Sequence, residues 1–534
     1  MAKIDVYDTT LRDGTQGEGI SFSLADKIKI VKLLDELGVS YIEAGIPASN
    51  PKDAELFACL AEIKLKHAKI AAFGSTHRIG VPVEQDSAVK ALIDAGTPVV
   101  TIFGKAWDLH VKEVFHARLS ENLDIIRETV CYVKSFGKEV IFDAEHFFDG
   151  YKQNREYALS SLNAAKSAGA DIICLCDTNG AAFPDEISSI VAEVKAYLGG
   201  TKLAIHCHND VGVAVSNTLL GVFAGAEQVQ GTMNGFGERC GNANLCTIIP
   251  NLQLKRGYDL VPKESLKKLK SISRHIYELA NIVPDERKPY VGGMAFAHKG
   301  GMHIDAVLKN PVTFEHISPE NVGNERKLLM SEMSGRALVY DIIRKFEPDT
   351  KKDAPVISEI LDEIKRLENE GYQFEGAESS FELMVLKKLG FYKPQFQLEQ
   401  FQVIAAAPAK SQYTATAMIK ICVGDTAEIT AAEGEGPVNA LDKALRKALY
   451  RFYPELKNTR LIDFKVRVLD GSKTGTAALT RVLMESTDGR TNWSTVGVSE
   501  NILEASWRAL VDSVDYYMLD IKRNKHTERS KATC

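Results

Sequence analysis

The sequence predicts an α/β chain: a (β/α)8 barrel, then a helical linker region, then a C-terminal α+β domain built from a β-β-β-α repeat. Three observations predict it. Eight short apolar runs alternate with longer amphipathic segments through the first 255 residues, the pattern turns mainly helical from about residue 260, and the last 140 residues carry two similar strand-rich units.

The runs span residues 4–7, 41–46, 70–73, 99–103, 140–142, 172–175, 203–205 and 228–232. Strand and helix in strict alternation imply a parallel sheet. Eight units in about 250 residues fit a closed barrel better than the alternative, an open doubly wound sheet. The first helix shows the local logic. Ser23 is a candidate cap, Leu24, Ile28, Val31, Leu34 and Leu37 mark one apolar face, and Gly38 ends the helix where a left-handed residue costs least. Residues 263–281 and 354–367 read as helices, and Gly292-Gly293 and Gly300-Gly301 mark mobile or tightly turning backbone. In the repeat, strands at 415–423 and 427–430 precede a helix at 438–450; strands at 461–468, 477–484 and 494–498 precede a helix at 501–514. Each copy is too small for a good core, so the two should pack together. The expected domains are a catalytic barrel over 1–258, a linker completing the active site over 259–390, and a regulatory domain over 391–534.

Composition narrows the function. The chain has 534 residues, 45% hydrophobic and 25% charged, with a net charge of −6. It offers no basic field for a polyanion, so nucleic acid is not an expected partner. No run of about 18 apolar residues predicts a membrane span, and the N-terminus lacks the apolar stretch of a signal peptide. The nine cysteines are scattered, with Cys174 and Cys176 sharing one strand face. No disulfide framework or paired CxxC site emerges, so a cytoplasmic setting is expected.

In such barrels the active site lies at the C-terminal strand ends. Polar residues collect there: Asp8 to Gly14 after the first strand, Asp143, Glu145 and His146 after the fifth, Asp177 to Asn179 after the sixth, His206 to Asp210 at the seventh and Gly235 to Asn242 after the eighth. Residues two apart in a strand share a face. His206 and His208 therefore suit one divalent metal, with Asp13 as a hard oxygen ligand; the alternative is that one or both merely hydrogen-bond in the rim. Asn242 is a candidate fourth ligand or a loop-positioning group. Arg12 suits an oxyanion or a 2-oxo acid, or a salt bridge to Asp13 or Glu145. Glu145 is a candidate base or positioning group, and Thr178 a donor to a carboxylate or a turn hydroxyl. Phe73 and Thr101 are candidate pocket walls, the alternative for Phe73 being plain barrel packing.

Asp8-Thr9-Thr10-Leu11-Arg12-Asp13-Gly14, His206-x-His208-Asn209-Asp210 and Gly235-x-Gly237-Glu238-Arg239-x-Gly241-Asn242 resemble the signatures of the 2-isopropylmalate, homocitrate and citramalate synthase family. The resemblance covers essentially the whole chain. Gly14-Thr15-Gln16-Gly17-Glu18-Gly19 and residues 143–151 look most like the bacterial citramalate branch. It implies condensation of acetyl-CoA with a small 2-oxo acid, pyruvate on this branch, at a divalent metal (Mn2+, Zn2+ or Mg2+). Asp13, His206 and His208, with Asn242 as a possible further ligand, would hold the ion. Arg12 would polarise the keto oxygen, Thr178 hold the carboxylate and Glu145 assist deprotonation or placement. His303 looks like the family's catalytic histidine, acting on the acetyl-CoA side. The C-terminal module resembles the family's allosteric domain, and isoleucine is the effector that fits a citramalate product. A homodimer is expected.

Two departures limit the carry-over. Many isopropylmalate synthases have Ser-Pro-Glu where this chain has Asp143-Ala144-Glu145, and an aspartate beside a bound carboxylate repels it unless turned away or paired. Residues 330–336 lack the histidine of the usual Gly-Arg-His-Ser-Gly. The alternatives are a 2-isopropylmalate synthase, a carbon–carbon lyase or aldolase of the same superfamily, and a metabolite-binding regulator without catalysis.

Overall fold

The computed structural model describes residues 2–328, 336–351, 353–374, 376–405, 414–469, 478–489 and 491–532. Two compact units form, one of residues 1–296 with 317–326 and one of residues 297–316 with 327–534.

In the first unit, eight parallel strands close a barrel: β1 (Asp5–Asp8), β2 (Tyr41–Gly45), β3 (Lys69–Ser75), β4 (Val99–Lys105), β5 (Glu139–Glu145), β6 (Ile172–Asp177), β7 (Lys202–Cys207) and β8 (Gln228–Gly231). They pair in chain order, and β8 returns to β1 with Tyr7 opposite Gln230. Most strands run past the apolar runs that marked them. Asp143 and Glu145 are thus ladder residues of β5 and His206 of β7.

Alternation along each strand sorts the core into two shells. Val6, Ile42, Val100, Phe142, Ile173 and Ile205 face the helices. Tyr7, Ala71, Val99, Ile141, Ile172 and Ala204 fill the barrel interior.

The first helix is Leu24–Leu37, capped as the sequence indicated. Ser23 Oγ accepts from the Asp26 N–H, the Asp26 carboxylate accepts from Ser23 N–H, and Gly38 ends the helix at φ 92°. Its buried face includes Lys27, whose ammonium is neutralised by Asp53 at 2.7 Å. The helix expected at 263–281 is two, Lys263–Leu266 and Leu269–Leu279. Gly292 and Gly293 turn tightly, since a Cβ on either would strike Glu286.

The second unit holds a small parallel pair, β9 (Ala297–His298) and β10 (Lys327–Leu328), and the helices Gly301–Lys309, Arg336–Phe346, Pro355–Asn369 and Glu378–Lys388. The repeat follows as two antiparallel meanders. β11 (Gln397–Ala405), β12 (Ala415–Val423) and β13 (Thr426–Gly434) precede the helix Pro437–Leu449; β14 (Arg460–Val468), β15 (Thr480–Thr487) and β16 (Asn492–Ser499) precede the helix Ile502–Ala532. Residue 477, read as the start of a strand, and residues 330–335 lie outside the described residues. Both halves contribute to one core, in which Ile419, Leu441 and Leu445 join Val482, Trp493 and Leu510. Among the described residues, no helix is long and apolar enough to cross a membrane.

Candidate active site

The C-terminal strand ends bring Asp13, His206 and His208 together. One ligand atom from each lies within 4.8 Å of the others, and all three residues are buried. Asp13 Oδ2 is 3.6 Å from His206 Nε2 and 3.7 Å from His208 Nε2. Those separations are too long for hydrogen bonds. They approach the roughly 3.4 Å between two ligands that share one tetrahedral ion at about 2.1 Å. Burial drives the His206 pKa down to about 3 and lowers that of His208, so both imidazoles are neutral. Burial opposes ionisation of Asp13, but the Arg12 guanidinium, with the Asn242 amide donating to it, holds its carboxyl below the usual range. Two neutral imidazoles and one carboxylate, close yet not bonded to one another, fit a divalent cation.

Asn242 braces this group. Its Nδ2 donates to Asp13 Oδ1 and to the Phe236 carbonyl, both at 3.0 Å, while its Oδ1 is buried without a hydrogen-bond partner among the described residues. In this arrangement it presents its nitrogen to Asp13. The glycines around it are a matter of space: a Cβ on Gly237 would collide with the Asn242 amide, and one on Gly241 with the Gly235 carbonyl. Arg239 ties the loops together. It grips Asp210 through two nitrogens, at 2.7 and 3.0 Å, and donates to the Thr178 carbonyl at 2.7 Å.

Arg12 is nearly buried, and two of its three nitrogens are committed. Nη1 donates to Asp13 at 2.9 Å and Nε to Glu43 at 2.5 Å. Its guanidinium lies 3.8 Å over the Phe73 ring, which stacks in turn on Phe103. The salt-bridge alternative therefore holds for Asp13, and the second partner is Glu43 in place of Glu145. Glu43 is fully buried and also accepts from Tyr7 and from Thr9. Sequence reading missed it; its signal was a lone carboxylate in the strand Tyr-Ile-Glu-Ala-Gly. Burial disfavours the charged guanidinium, but Glu43 and Asp13 outweigh this and raise its pKa.

Glu145 pairs with Lys105, directly across the β4–β5 register. Thr178 Oγ1 accepts from the His146 N–H at 2.9 Å, so its own proton is free to be donated. His146 reaches that position with φ 53°, a strained value for a non-glycine residue. Thr101 sits deep in the barrel, fully buried and bonded to Tyr7 at 2.7 Å. Asp143 is turned into the interior and accepts from Gln230 Nε2 at 3.1 Å. Burial, reinforced by Glu43, pushes its pKa up to about 7. Cys174 and Cys176 face it with sulfurs 4.0 Å apart, and burial raises the Cys174 thiol well above its ordinary range. His303 belongs to the second unit, where its ring stacks on Phe314 at 4.0 Å.

The HMGL-like family model matches residues 3–276, the homocitrate synthase post-HMGL domain-like model residues 290–372, and the LeuA allosteric (dimerisation) domain residues 375–518. The chain is 52% identical to the (R)-citramalate synthase of Aquifex aeolicus, over 97% of this chain and 98% of that one. It is 51% identical to that of Geobacter sulfurreducens, over 99% and 100%. A probable 2-isopropylmalate synthase of Methanopyrus kandleri is 31% identical over 96% and 98%. With the barrel, the rim constellation and this likeness in place along its length, the chain belongs to the HMGL-like family, within its (R)-citramalate synthases.

Proposed function

We propose that this chain condenses acetyl-CoA with pyruvate and hydrolyses the thioester, giving (R)-citramalate and CoA and feeding isoleucine biosynthesis by way of 2-oxobutanoate. The observation that carries this reading is the Asp13–His206–His208 group beside the held guanidinium of Arg12, in a chain that spans its (R)-citramalate synthase relatives almost completely.

Asp13, His206 and His208 would hold a divalent metal, which supplies Lewis acidity toward the keto oxygen of a 2-oxo acid. Two imidazoles favour zinc or manganese over magnesium. Arg12 contributes a permanent positive charge toward the oxygen on which charge develops. Glu43 and Phe73 fix its plane, so little reorganisation accompanies the reaction. Thr178 donates its free proton to the substrate carboxylate. Glu145, held by Lys105, takes part in removing the acetyl methyl proton or in placing the thioester, and His303 acts on the acetyl-CoA side. Phe73 narrows the space beside the keto carbon toward a methyl substituent, with Thr101 behind it.

In domain terms, residues 1–258 carry the chemistry, 259–390 complete the site and 391–534 regulate it. Isoleucine is the feedback effector. The protein works in the cytoplasm and as a homodimer; the dimer reading is supported by the dimerisation-domain match and by Phe464, Val466 and Val468, which lie exposed on one edge strand. The test supplies purified protein, divalent metal and acetyl-CoA with pyruvate, 2-oxoisovalerate or 2-oxoglutarate. Free thiol and product mass are followed. Thiol release with pyruvate and a citramalate mass are expected; release with 2-oxoisovalerate alone would make the chain an isopropylmalate synthase.

A further inference from the structure

We infer that Gln230 is a positioning residue for the metal group: it bridges His206 to Asp143 across the barrel interior and so fixes which imidazole nitrogen is offered to the ion. The inference rests on Asp13, His206 and His208 being the ligands.

Gln230 stands opposite His206 in the β7–β8 register and is fully buried. Its Nε2 donates to Asp143 Oδ1 at 3.1 Å, and its Oε1 lies 3.2 Å from His206 Nδ1. An amide has one donor end and one acceptor end. In the structure the nitrogen of Gln230 faces Asp143, whose carboxyl oxygen accepts, and its oxygen faces His206. His206 Nδ1 must then carry the proton, which leaves the lone pair on Nε2, the atom beside Asp13. Metal-bound histidines commonly have their second nitrogen held this way, and the holder governs affinity. The neighbouring ligand is a contrast: His208 Nδ1 is buried and has no hydrogen-bond partner among the described residues. One imidazole is thus oriented by the barrel and the other is not. Asp143 also gains a role. It anchors Gln230, and that bond pairs the carboxyl inside the barrel.

The test is Mn2+ binding to the chelator-stripped full chain at about pH 8, followed by calorimetry and by the signal of free Mn2+. Gln230→Leu removes the bridge at similar volume and is expected to weaken binding about 10–100-fold. Gln230→Glu sets two buried carboxylates against each other and should also weaken it. Combining Gln230→Glu with Asp143→Asn restores the pattern, because the introduced amide donates to the introduced carboxylate, which accepts from His206. This double variant is expected to recover most of the lost affinity, as a role in packing alone would not. Wild-type affinity in Gln230→Leu, or a double variant no better than Gln230→Glu, with the urea midpoint retained, overturns the inference. His206→Ala separates the two readings. It should abolish binding; undiminished binding there would overturn the ligand assignment itself and the inference with it.

Discussion

The barrel interior and the C-terminal repeat use burial in opposite ways. Inside the barrel, Tyr7, Glu43, Asp143, His206 and Gln230 are all under a tenth exposed, and each is hydrogen-bonded to another polar group. The core shared by the two halves of the repeat is apolar, and its edge strand β14 leaves Phe464, Val466 and Val468 at 37, 41 and 57% exposure. The first arrangement holds charge where water is scarce, which is what polarising a carbonyl requires. The second leaves part of its apolar surface open to water on an edge strand. Charge substitutions should therefore behave differently in the two regions.

The largest effect is expected at Glu43. Glu43→Leu leaves the Arg12 guanidinium buried with only Asp13 to balance it, and it removes the carboxylate that accepts from the Tyr7 and Thr9 hydroxyls. Breaking a buried pair by removing one partner costs about 3–5 kcal/mol. Urea unfolding should show that loss, and condensation should fall with it. Unchanged stability would mean that the guanidinium finds water or another carboxylate.

Next in size is a pH effect on the chelator-treated protein. Burial raises Asp143 and Asp8 to about 7 each. A carboxyl with a raised folded pKa stabilises the fold fully below its unfolded value, near 3.9, and loses that contribution as pH rises through its folded value. Stability should therefore decline between about pH 4 and 7, by on the order of a few kcal/mol from these two groups. Asp143→Asn, measured over the same range by urea midpoint, should flatten the decline. An identical slope would assign it to other groups.

Much of this contrast was legible in the sequence because period and spacing carry it. Eight apolar runs were enough for the barrel, and two histidines two apart at the end of a strand, His206 inside it and His208 just beyond, were bound to share a face. Glu43 and Gln230 were not legible. A polar residue inside a strand points inward or outward with equal ease until the barrel closes and neighbouring strands set the level. The extra length of the strands was hidden for a related reason: the rim residues that extend them are polar for chemistry, which erases the apolar signal of a ladder. β11 was missed because its Gln and Glu residues, with a register shift between Leu398 and Gln400, blur the alternation. The break between Lys263–Leu266 and Leu269–Leu279 left no glycine or proline to mark it.

A smaller effect belongs to Phe73. It is 7% exposed and lies flat against Arg12, so it both orients the guanidinium and narrows the adjoining space. Phe73→Ala should raise kcat/KM for 2-oxoisovalerate relative to pyruvate by about 10–200-fold, the range that one methylene commands in an apolar pocket. An unchanged ratio with lower activity on both substrates would leave Phe73 as the support of Arg12 alone.

The smallest effect on folding is expected where the barrel comparison is sharpest. Val466→Lys with Val468→Lys introduces two positive charges, yet on half-open sites of an edge strand the fold should change by no more than about 0.5 kcal/mol per site. If this strand contributes to the homodimer, light scattering should show the mass falling toward one chain, because each lysine must be desolvated at the interface. Thiol release should then be compared between the associated and dissociated forms. Retained activity in the dissociated chain would confine the chemistry to residues of a single copy, His303 included. Lost activity without lost stability would mean that the second copy completes the site. A mass that does not change would move the dimer contact off this edge and leave β14 as an exposed strand guarded by Lys465 and Arg467, the charged residues that keep such edges from pairing.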